Sequence, residues 1–382
     1  MKKSPVGKRR SRQRGTSSAS CRSTGVAHAA ECAGCLPRPI CSHILYFMPT
    51  RGTASPVHSA GSTTDSSDSK RPDSLRIATR GSRLAMAQTR LVANELTRKC
   101  PGLSVEILPL VTKGDRHRGP LSEVGGKGVF TAELEEALRT GQVHIAVHSA
   151  KDLPATLPDD MQIIASPERA DPRDVLISRK GQSLVELPRG ATVGTSSVRR
   201  RAQLLRERPD LQIVALRGNI DTRLDKVLNR DELGMDAAVL AMAGLVRAGL
   251  AEEHRDRLYP LPLQEFLPAG GQGILAIEGR KGDTAAENLL RCIGDPVAEE
   301  SLRAERFILR RLEADCHSCV AVHAGRDDGL ASVRVMVATR RGEGMREYQM
   351  SDESMSEATN RLWAQLERDD ARELIGLERI RE

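Results

Sequence analysis

The stretch SLRIATRGSRLAMAQTRLVANELTRK, residues 74–99, sets the fold class. Residues 75–79, LRIAT, read as a short apolar strand. Ser82 then opens a helix, because Leu84, Ala87, Leu91, Val92 and Leu96 recur at helical spacing and serine is a favoured N-cap. A strand that feeds a helix through a short Arg-Gly-Ser turn is the repeating unit of an α/β protein. The alternation continues with VEILPLV (105–111), a helix over FTAELEEALRT (130–140), HIAVHS (144–149) and MQIIAS (161–166). PERADPRD, charged and broken by proline, suits a linker. A second series follows: ATVGT (191–195), the helix SVRRRAQLLRER, LQIVALRG (211–218), the helix DTRLDKVLN and AAVLAMAG (237–244). LPAGGQGILAIE (267–278) reads as a return strand behind a glycine turn. From about residue 284 the pattern changes to two helices, a cysteine loop, one clear strand SVRVMVAT (332–339) and a C-terminal helix over 354–368.

The expected architecture is two similar α/β lobes and a smaller α+β domain, with paired crossings between the lobes near 168–173 and 262–267. The first domain takes 74–168 and 267–283, the second 169–266 and the third 284–382. Residues 1–73 form a basic, Ser/Arg-rich extension without a sustained hydrophobic period. This extension reads as a solvated tail or a start codon placed early, with an organelle transit peptide as the competing reading.

Composition excludes several classes. Aromatics are 2% of the chain against 39% hydrophobic, so the cores must be aliphatic. The net charge of +7 suggests nucleic acid, but residues 1–73 hold twelve of the 58 basic and four of the 51 acidic residues. The remainder is balanced, so no nucleic-acid partner is expected. No apolar run approaches the roughly 18–20 residues of a membrane span, so no membrane partner is expected either. Eight cysteines, half of them in the N-terminal extension, do not make a disulfide framework, which points to a reducing cytoplasmic setting.

The arginines need a local explanation. Arg80 stands where the first strand meets its helix; Ser197, Arg199 and Arg200 stand at a second such junction. Arg217 ends a strand, Arg223 lies one turn into the next helix, and Arg247 follows MAGLV. Ligands of open α/β sheets bind at the carboxyl ends of strands, where helix N-termini favour anions. Six arginines at such positions describe a cleft for a small molecule with several carboxylates or phosphates. Asp152, in HIAVHSAKDLP, could act there as a general acid/base, could stabilise a developing cation, or could simply cap a short helix. His148 in the same stretch reads as a structural strand-end residue. GGKG (125–128) is a flexible loop, with Lys127 as an anion contact. The stretch LEADCHSCVAVHAG (312–325) leaves three chemistries open. These are zinc held by Cys316, Cys319 and His323 with help from CAGC (32–35), a redox pair, or one thiolate carrying a covalent group.

RIATRGSRLAMAQ, GGKGVFTAELEEAL, AVHSAKDLP, ERADPRDVLIS, VGTSSVRRRAQL, LRGNIDTRLDK, LAMAGLVRAGL and LPAGGQGILAIE together resemble the porphobilinogen deaminase (hydroxymethylbilane synthase) family from about residue 75 onward. The resemblance implies two lobes like those of periplasmic binding proteins and a third domain with a cofactor loop. It implies a transferase that joins four porphobilinogen molecules with release of ammonia, primed by a covalent dipyrromethane cofactor, in a monomer. It implies Asp152 as the catalytic residue and a thioether to Cys316. It places cofactor and substrate binding on Arg80, Ser82, Lys151, Ser197, Arg199, Arg200, Arg217, Arg223 and Arg247, with no metal. Two positions depart from the family pattern: Glu123 stands where a lysine is usual, and Cys319 where a proline is usual. The competing readings are a non-catalytic two-lobed binder of an anion and a metal or redox protein built on the CxxC pairs.

Overall fold

The computed structural model describes residues 73–116, 128–229, 233–315, 317–339 and 341–376. The expected basic extension and the glycine loop 125–127 lie outside them. The first lobe begins with β1 (Ser74–Arg80), α1 (Arg83–Lys99), β2 (Ser104–Leu110), α2 (Lys113–Arg116), α3 (Ala132–Arg139), β3 (Ile145–Ser149) and β4 (Met161–Ala165). The second holds β5 (Asp174–Ser178), β6 (Thr192–Gly194), α4 (Val198–Glu207), β7 (Gln212–Val214), α5 (Ile220–Leu228), β8 (Ala237–Ala241), α6 (Met242–Arg247) and β9 (Leu258–Pro260). The chain then returns through β10 (Leu275–Arg280) and α7 (Thr284–Leu290) to a third domain. That domain comprises α8 (Pro296–Arg311), β11 (Cys319–Asp327), β12 (Leu330–Ala338), β13 (Arg346–Asp352), α9 (Met355–Arg368) and α10 (Ala371–Gly376).

The two lobes share one strand plan. The first sheet runs β2-β1-β3-β10-β4 and the second β7-β6-β8-β5-β9. In each, the first three strands are mutually parallel and the fourth is antiparallel to both neighbours. That fourth strand is the one that has just crossed from the other lobe: β5 enters the second sheet and β10 re-enters the first. The mixed α/β class and the two-lobed plan are therefore as the sequence suggests. β5 differs from expectation: DVLIS, directly after the charged PERADPRD segment, is a fully buried strand. LQIVALRG pairs only over Gln212–Val214, because the chain then leaves the edge of the sheet and carries Arg217 and Gly218 toward the lobe junction.

The cores are aliphatic, as composition requires. Leu75, Ile77, Val92, Leu96, Ile145 and Ile277 fill one side of the first sheet, and Val175, Ile177, Val227, Leu240 and Leu245 one side of the second. In the third domain β11, β12 and β13 form an antiparallel meander where the sequence suggested one strand. β11 and β12 are joined through Asp328 and Gly329, both at positive φ, which is what a two-residue turn that follows strand twist needs. Ala304, Ile308, Val322, Val335, Leu362 and Trp363 close the core between this meander and α8 and α9.

A buried ion pair ties the two crossings to the third domain. Arg169, on the first crossing, donates from Nε to the Gln272 carbonyl on the second at 2.9 Å. Its Nη1 donates to Glu305 Oε1 on α8 at 2.7 Å and to the Ala324 carbonyl at 3.0 Å. Glu305 is fully buried and also accepts from the Ala324 N–H at 2.8 Å and the Gly271 N–H at 2.5 Å. His323 lies beside this group, and burial, reinforced by Arg169 and Arg334, depresses its pKa to about 3, so it is neutral at physiological pH. Removing one partner of a buried pair leaves the other charge uncompensated. Glu305→Ala is therefore expected to destabilise the protein by about 3–5 kcal/mol in urea unfolding. A variant as stable as the parent would show that the pair contributes nothing to holding the crossings.

Candidate active site at the lobe junction

The strand plan puts equivalent strand ends opposite each other. β1 and β6 hold the same place in their sheets, and each is followed by a helix capped by serine. The Ser82 hydroxyl accepts from the Ala85 N–H at 3.3 Å, and that of Ser197 from the Arg200 N–H at 3.4 Å. Both predicted serines thus present a helix N-terminus at the junction, where free N–H groups favour anions.

Arg80, at the end of β1, is held by Asp115: Nη2 lies 2.5 Å from Oδ1 and Nε 3.2 Å from the same oxygen. Its guanidinium also stacks on Phe130, 4.2 Å from the ring centroid. Partial burial raises the Asp115 pKa, but Arg80 and Thr112 outweigh it and hold the carboxylate ionised. Gly114 is required here, because a Cβ would stand 2.1 Å from the Phe130 ring.

β3 ends in a 3-10 turn over Ala150–Asp152, which sets Lys151 and Asp152 side by side facing the second lobe. Asp152 is exposed and lies at the end of that turn, so it is not its N-cap; that position is Ser149. No described residue donates a hydrogen bond to its carboxylate, whose field instead reaches Lys151 and, across the junction, Arg223. Lys151 Nζ donates to Gln272 Oε1 at 3.1 Å. Although Lys151 keeps open surface in the cleft, crowding by both lobes lowers its pKa to about 8 against the opposing pull of Asp152.

Arg199 and Arg200 are brought to the junction but turned inward. Both are buried, and both pair with Asp174, the fully buried first residue of β5. Arg199 Nη1 lies 2.7 Å from Asp174 Oδ2 and 2.6 Å from the Leu267 carbonyl. Arg200 Nη2 and Nε lie 2.7 and 3.1 Å from Oδ1, and its Nη1 donates to the Val239 carbonyl at 2.9 Å. Gln272 Nε2 donates to Oδ1 as well, at 2.9 Å. Burial would raise the Asp174 pKa, but the two guanidinium groups outweigh it and hold it well below the usual carboxylate range.

Sequence reasoning missed Asp174 and Gln272, and both had a signal. Asp174 closes the DPRD segment just before an apolar run. Gln272 stands between Gly271 and Gly273, at φ +77° and +87°. A Cβ at residue 271 would come within 2.9 Å of the Ala150 and Lys151 backbone, and one at 273 within 2.3 Å of the Ala170 carbonyl. Only glycine lets the second crossing press against the Lys151 turn and the first crossing, and that approach aims Gln272 between Lys151 and Asp174.

The remaining predicted residues border the same space. Arg217 is exposed where the chain leaves β7. Arg223 Nε donates to the Gly218 carbonyl at 2.8 Å, and burial, with Arg200 nearby, lowers its pKa. Arg247, at the end of α6, donates from Nη2 to the Gly273 carbonyl at 2.6 Å, and burial lowers its pKa to about 10. His148 is buried in β3 with Nε2 2.8 Å from Glu278 Oε2, away from the cleft. Lys127, Glu123 and Cys316 lie outside the described residues. Cys319 is buried at the start of β11 among Ala202, Leu267, Ala321 and Met336, where it fills the contact between the third domain and α4.

Residues 75–288 match the family model described as porphobilinogen deaminase, dipyromethane cofactor binding domain. Porphobilinogen deaminase of Syntrophotalea carbinolica is 48% identical over 251 residues, 65% of this chain and 78% of the relative. That of Roseiflexus castenholzii is 48% identical over 245 residues, 64% and 79% of the two chains. The enzyme of Roseiflexus sp. is 43% identical over 281 residues, 73% of this chain and 91% of the relative. Among solved structures, the methionine binding protein MetQ aligns with a TM-score of 0.38 at 17% identity, over 63% of this chain and 94% of the other.

Asp174 gives a prediction with a pH signature. Its folded-state pKa is depressed, so the stability it confers is present above the unfolded value of about 3.8 and is lost as pH falls below that value. Asp174→Asn leaves two buried guanidinium groups uncompensated and is expected to cost about 3–5 kcal/mol at pH 7. It is also expected to flatten the acid limb of the urea stability curve. An unchanged acid limb would remove Asp174 from the account.

Proposed function

The chain belongs to the porphobilinogen deaminase family, and from that premise we propose how its lobe junction carries hydroxymethylbilane synthesis. It is a transferase that condenses four porphobilinogen molecules head to tail, releases ammonia at each step, and frees the linear tetrapyrrole by hydrolysis. The observation that carries this reading is an exposed carboxylate, Asp152, set among cations from both lobes, with Lys151 beside it and Arg223 across from it.

Each porphobilinogen bears an acetate and a propionate, so the growing chain is a polyanion. Lys151, Arg223, Arg217 and Arg80, with the serine-capped helix ends at Ser82 and Ser197, suit those carboxylates. Arg199, Arg200 and Arg247 form the cationic wall behind them, and on sequence grounds we assign Lys127 a further anion-binding role. The same donors fit the dipyrromethane, itself two linked pyrroles with acidic side chains. When bound, that group supplies the nucleophilic pyrrole carbon onto which the first substrate is joined. We assign its thioether to Cys316; Cys319 is engaged in packing. We assign to Asp152 the cation left when ammonia is lost from the substrate's aminomethyl group. Its carboxylate stabilises that charge and accepts the proton lost when the new carbon–carbon bond forms. Lys151, tethered by Gln272, orients a substrate carboxylate beside Asp152. We further propose a monomer working in the cytoplasm, on the resemblance to the family and the cysteine usage of the sequence.

Intact-mass measurement tests the reading. The purified protein is expected to exceed its sequence mass by two linked pyrrole units, and Cys316→Ser is expected to remove that excess. Asp152→Ala is expected to keep the excess yet slow ammonia release from porphobilinogen by about 10²-fold or more. Parent protein at its bare sequence mass, or normal turnover by Asp152→Ala, would overturn the assignment.

The Lys151 ammonium carries its charge below pH 8 and loses it above. Porphobilinogen KM is therefore expected to rise as pH increases through about 8. Lys151→Arg, whose guanidinium stays charged, is expected to shift that rise to higher pH. A KM profile identical in the two proteins would assign the limb to another group.

A further inference from the structure

Outside the reaction site, two thiols meet. Cys100 Sγ and Cys292 Sγ lie 3.5 Å apart. Cys100 ends α1, where its N–H donates to the Leu96 carbonyl at 2.7 Å, and its side chain is buried. Cys292 follows α7, on the segment that carries the chain from the first lobe into α8 and the third domain; its side chain is partly open. Leu96, Leu289, Leu290 and Ile293 pack around the pair within the core of the first lobe. Cys292 Sγ–H points to the Leu289 carbonyl at 3.1 Å, and Lys99 Nζ, from the end of α1, donates to the Cys292 carbonyl at 2.7 Å. A disulfide needs sulfurs about 2.05 Å apart, so the two must close by roughly 1.5 Å.

We propose that Cys100 and Cys292 are an oxidisable dithiol that closes to a disulfide when the protein meets a peroxide or a small-molecule disulfide. With hydrogen peroxide, the Cys292 thiolate attacks one oxygen, the O–O bond breaks, and a sulfenic acid and water result. Cys100 then displaces the sulfenic oxygen, which leaves with a proton as a second water. Two thiol hydrogens and two electrons pass to the peroxide and one S–S bond forms. With a small disulfide as oxidant, two small thiols leave instead. The bond joins residues 192 apart in sequence and fastens the segment that leads to the third domain onto α1. A cross-link over so long a loop restricts the unfolded chain strongly, so the oxidised protein gains stability. Neither thiol belongs to the tetrapyrrole chemistry, and the thiol that does, Cys316, is blocked by its thioether in the holoenzyme.

The test uses full-length holoenzyme treated with hydrogen peroxide or glutathione disulfide and digested without reduction. The expected product is a peptide pair joined through Cys100 and Cys292, lighter than the separate peptides by two hydrogens. It should be accompanied by a rise in Tm of several degrees that dithiothreitol reverses. Cys292→Ser should show neither the linked peptide nor the rise, and peptide mapping separates this link from any formed by the N-terminal cysteines. A sulfenic or glutathionylated single cysteine with no cross-link, or a cross-link without the gain in Tm, overturns the proposal.

Discussion

A single buried carboxylate organises the junction between the lobes. Asp174 stands at the first position of the strand that has just crossed, so its place is fixed by the backbone of the fold. Arg199, Arg200 and Gln272 converge on it. An ionised carboxylate in such a place is tolerable only with charged, well-aligned partners, and the arginines are equally dependent on it. Gln272 extends the arrangement to Lys151, and so to the turn that presents Asp152. The Asp152 carboxylate is therefore positioned by a chain of contacts that starts at the crossing itself.

This divides the cations of the cleft into two kinds. Arg199 and Arg200 spend hydrogen-bond donors on Asp174 and on the carbonyls of Leu267 and Val239. Their partner Asp174 offsets part of their charge, so they shape the wall more than they grip a ligand. Lys151, Arg217 and Arg223 keep surface toward the cleft. A polyanion that lengthens by one unit per cycle needs a surface of the second kind, able to exchange partners, backed by one of the first kind that does not move. Arg80 combines both roles, with Asp115 and Phe130 fixing its guanidinium while about a quarter of its side chain stays accessible.

Most of this was legible in the sequence where periodicity and caps speak locally. Ser82 and Ser197 cap the helices they were expected to start, and the strand–helix order of both lobes follows the apolar pattern. What the pattern could not show was pairing at long range. The local pattern assigns DVLIS no element, because the charged, proline-broken segment that leads into it dominates locally, whereas its pairing partners β8 and β9 lie far along the chain. β11 and β13 were obscured in the same way, the first by the cysteine loop and the second by its many polar residues. The direction of the arginines was equally hidden. Charge at a strand end says that a cation is near the cleft, and only the position of Asp174 decides which way it turns.

The shared strand plan has a consequence for how the molecule is made. The second lobe, β5 to β9, is one uninterrupted piece of chain inserted into the first. β10 completes the first sheet by pairing with β3 and β4, both of which leave the ribosome before any of the second lobe. The first lobe therefore waits with an open slot in its sheet while the second is synthesised and can close on its own strands. All strands of the inserted lobe are synthesised before the first sheet can close, and the segment that leads into β10 brings Gln272 and the two glycines that set the Lys151 turn. The segment that closes the first sheet is thus the one that sets the Lys151 turn.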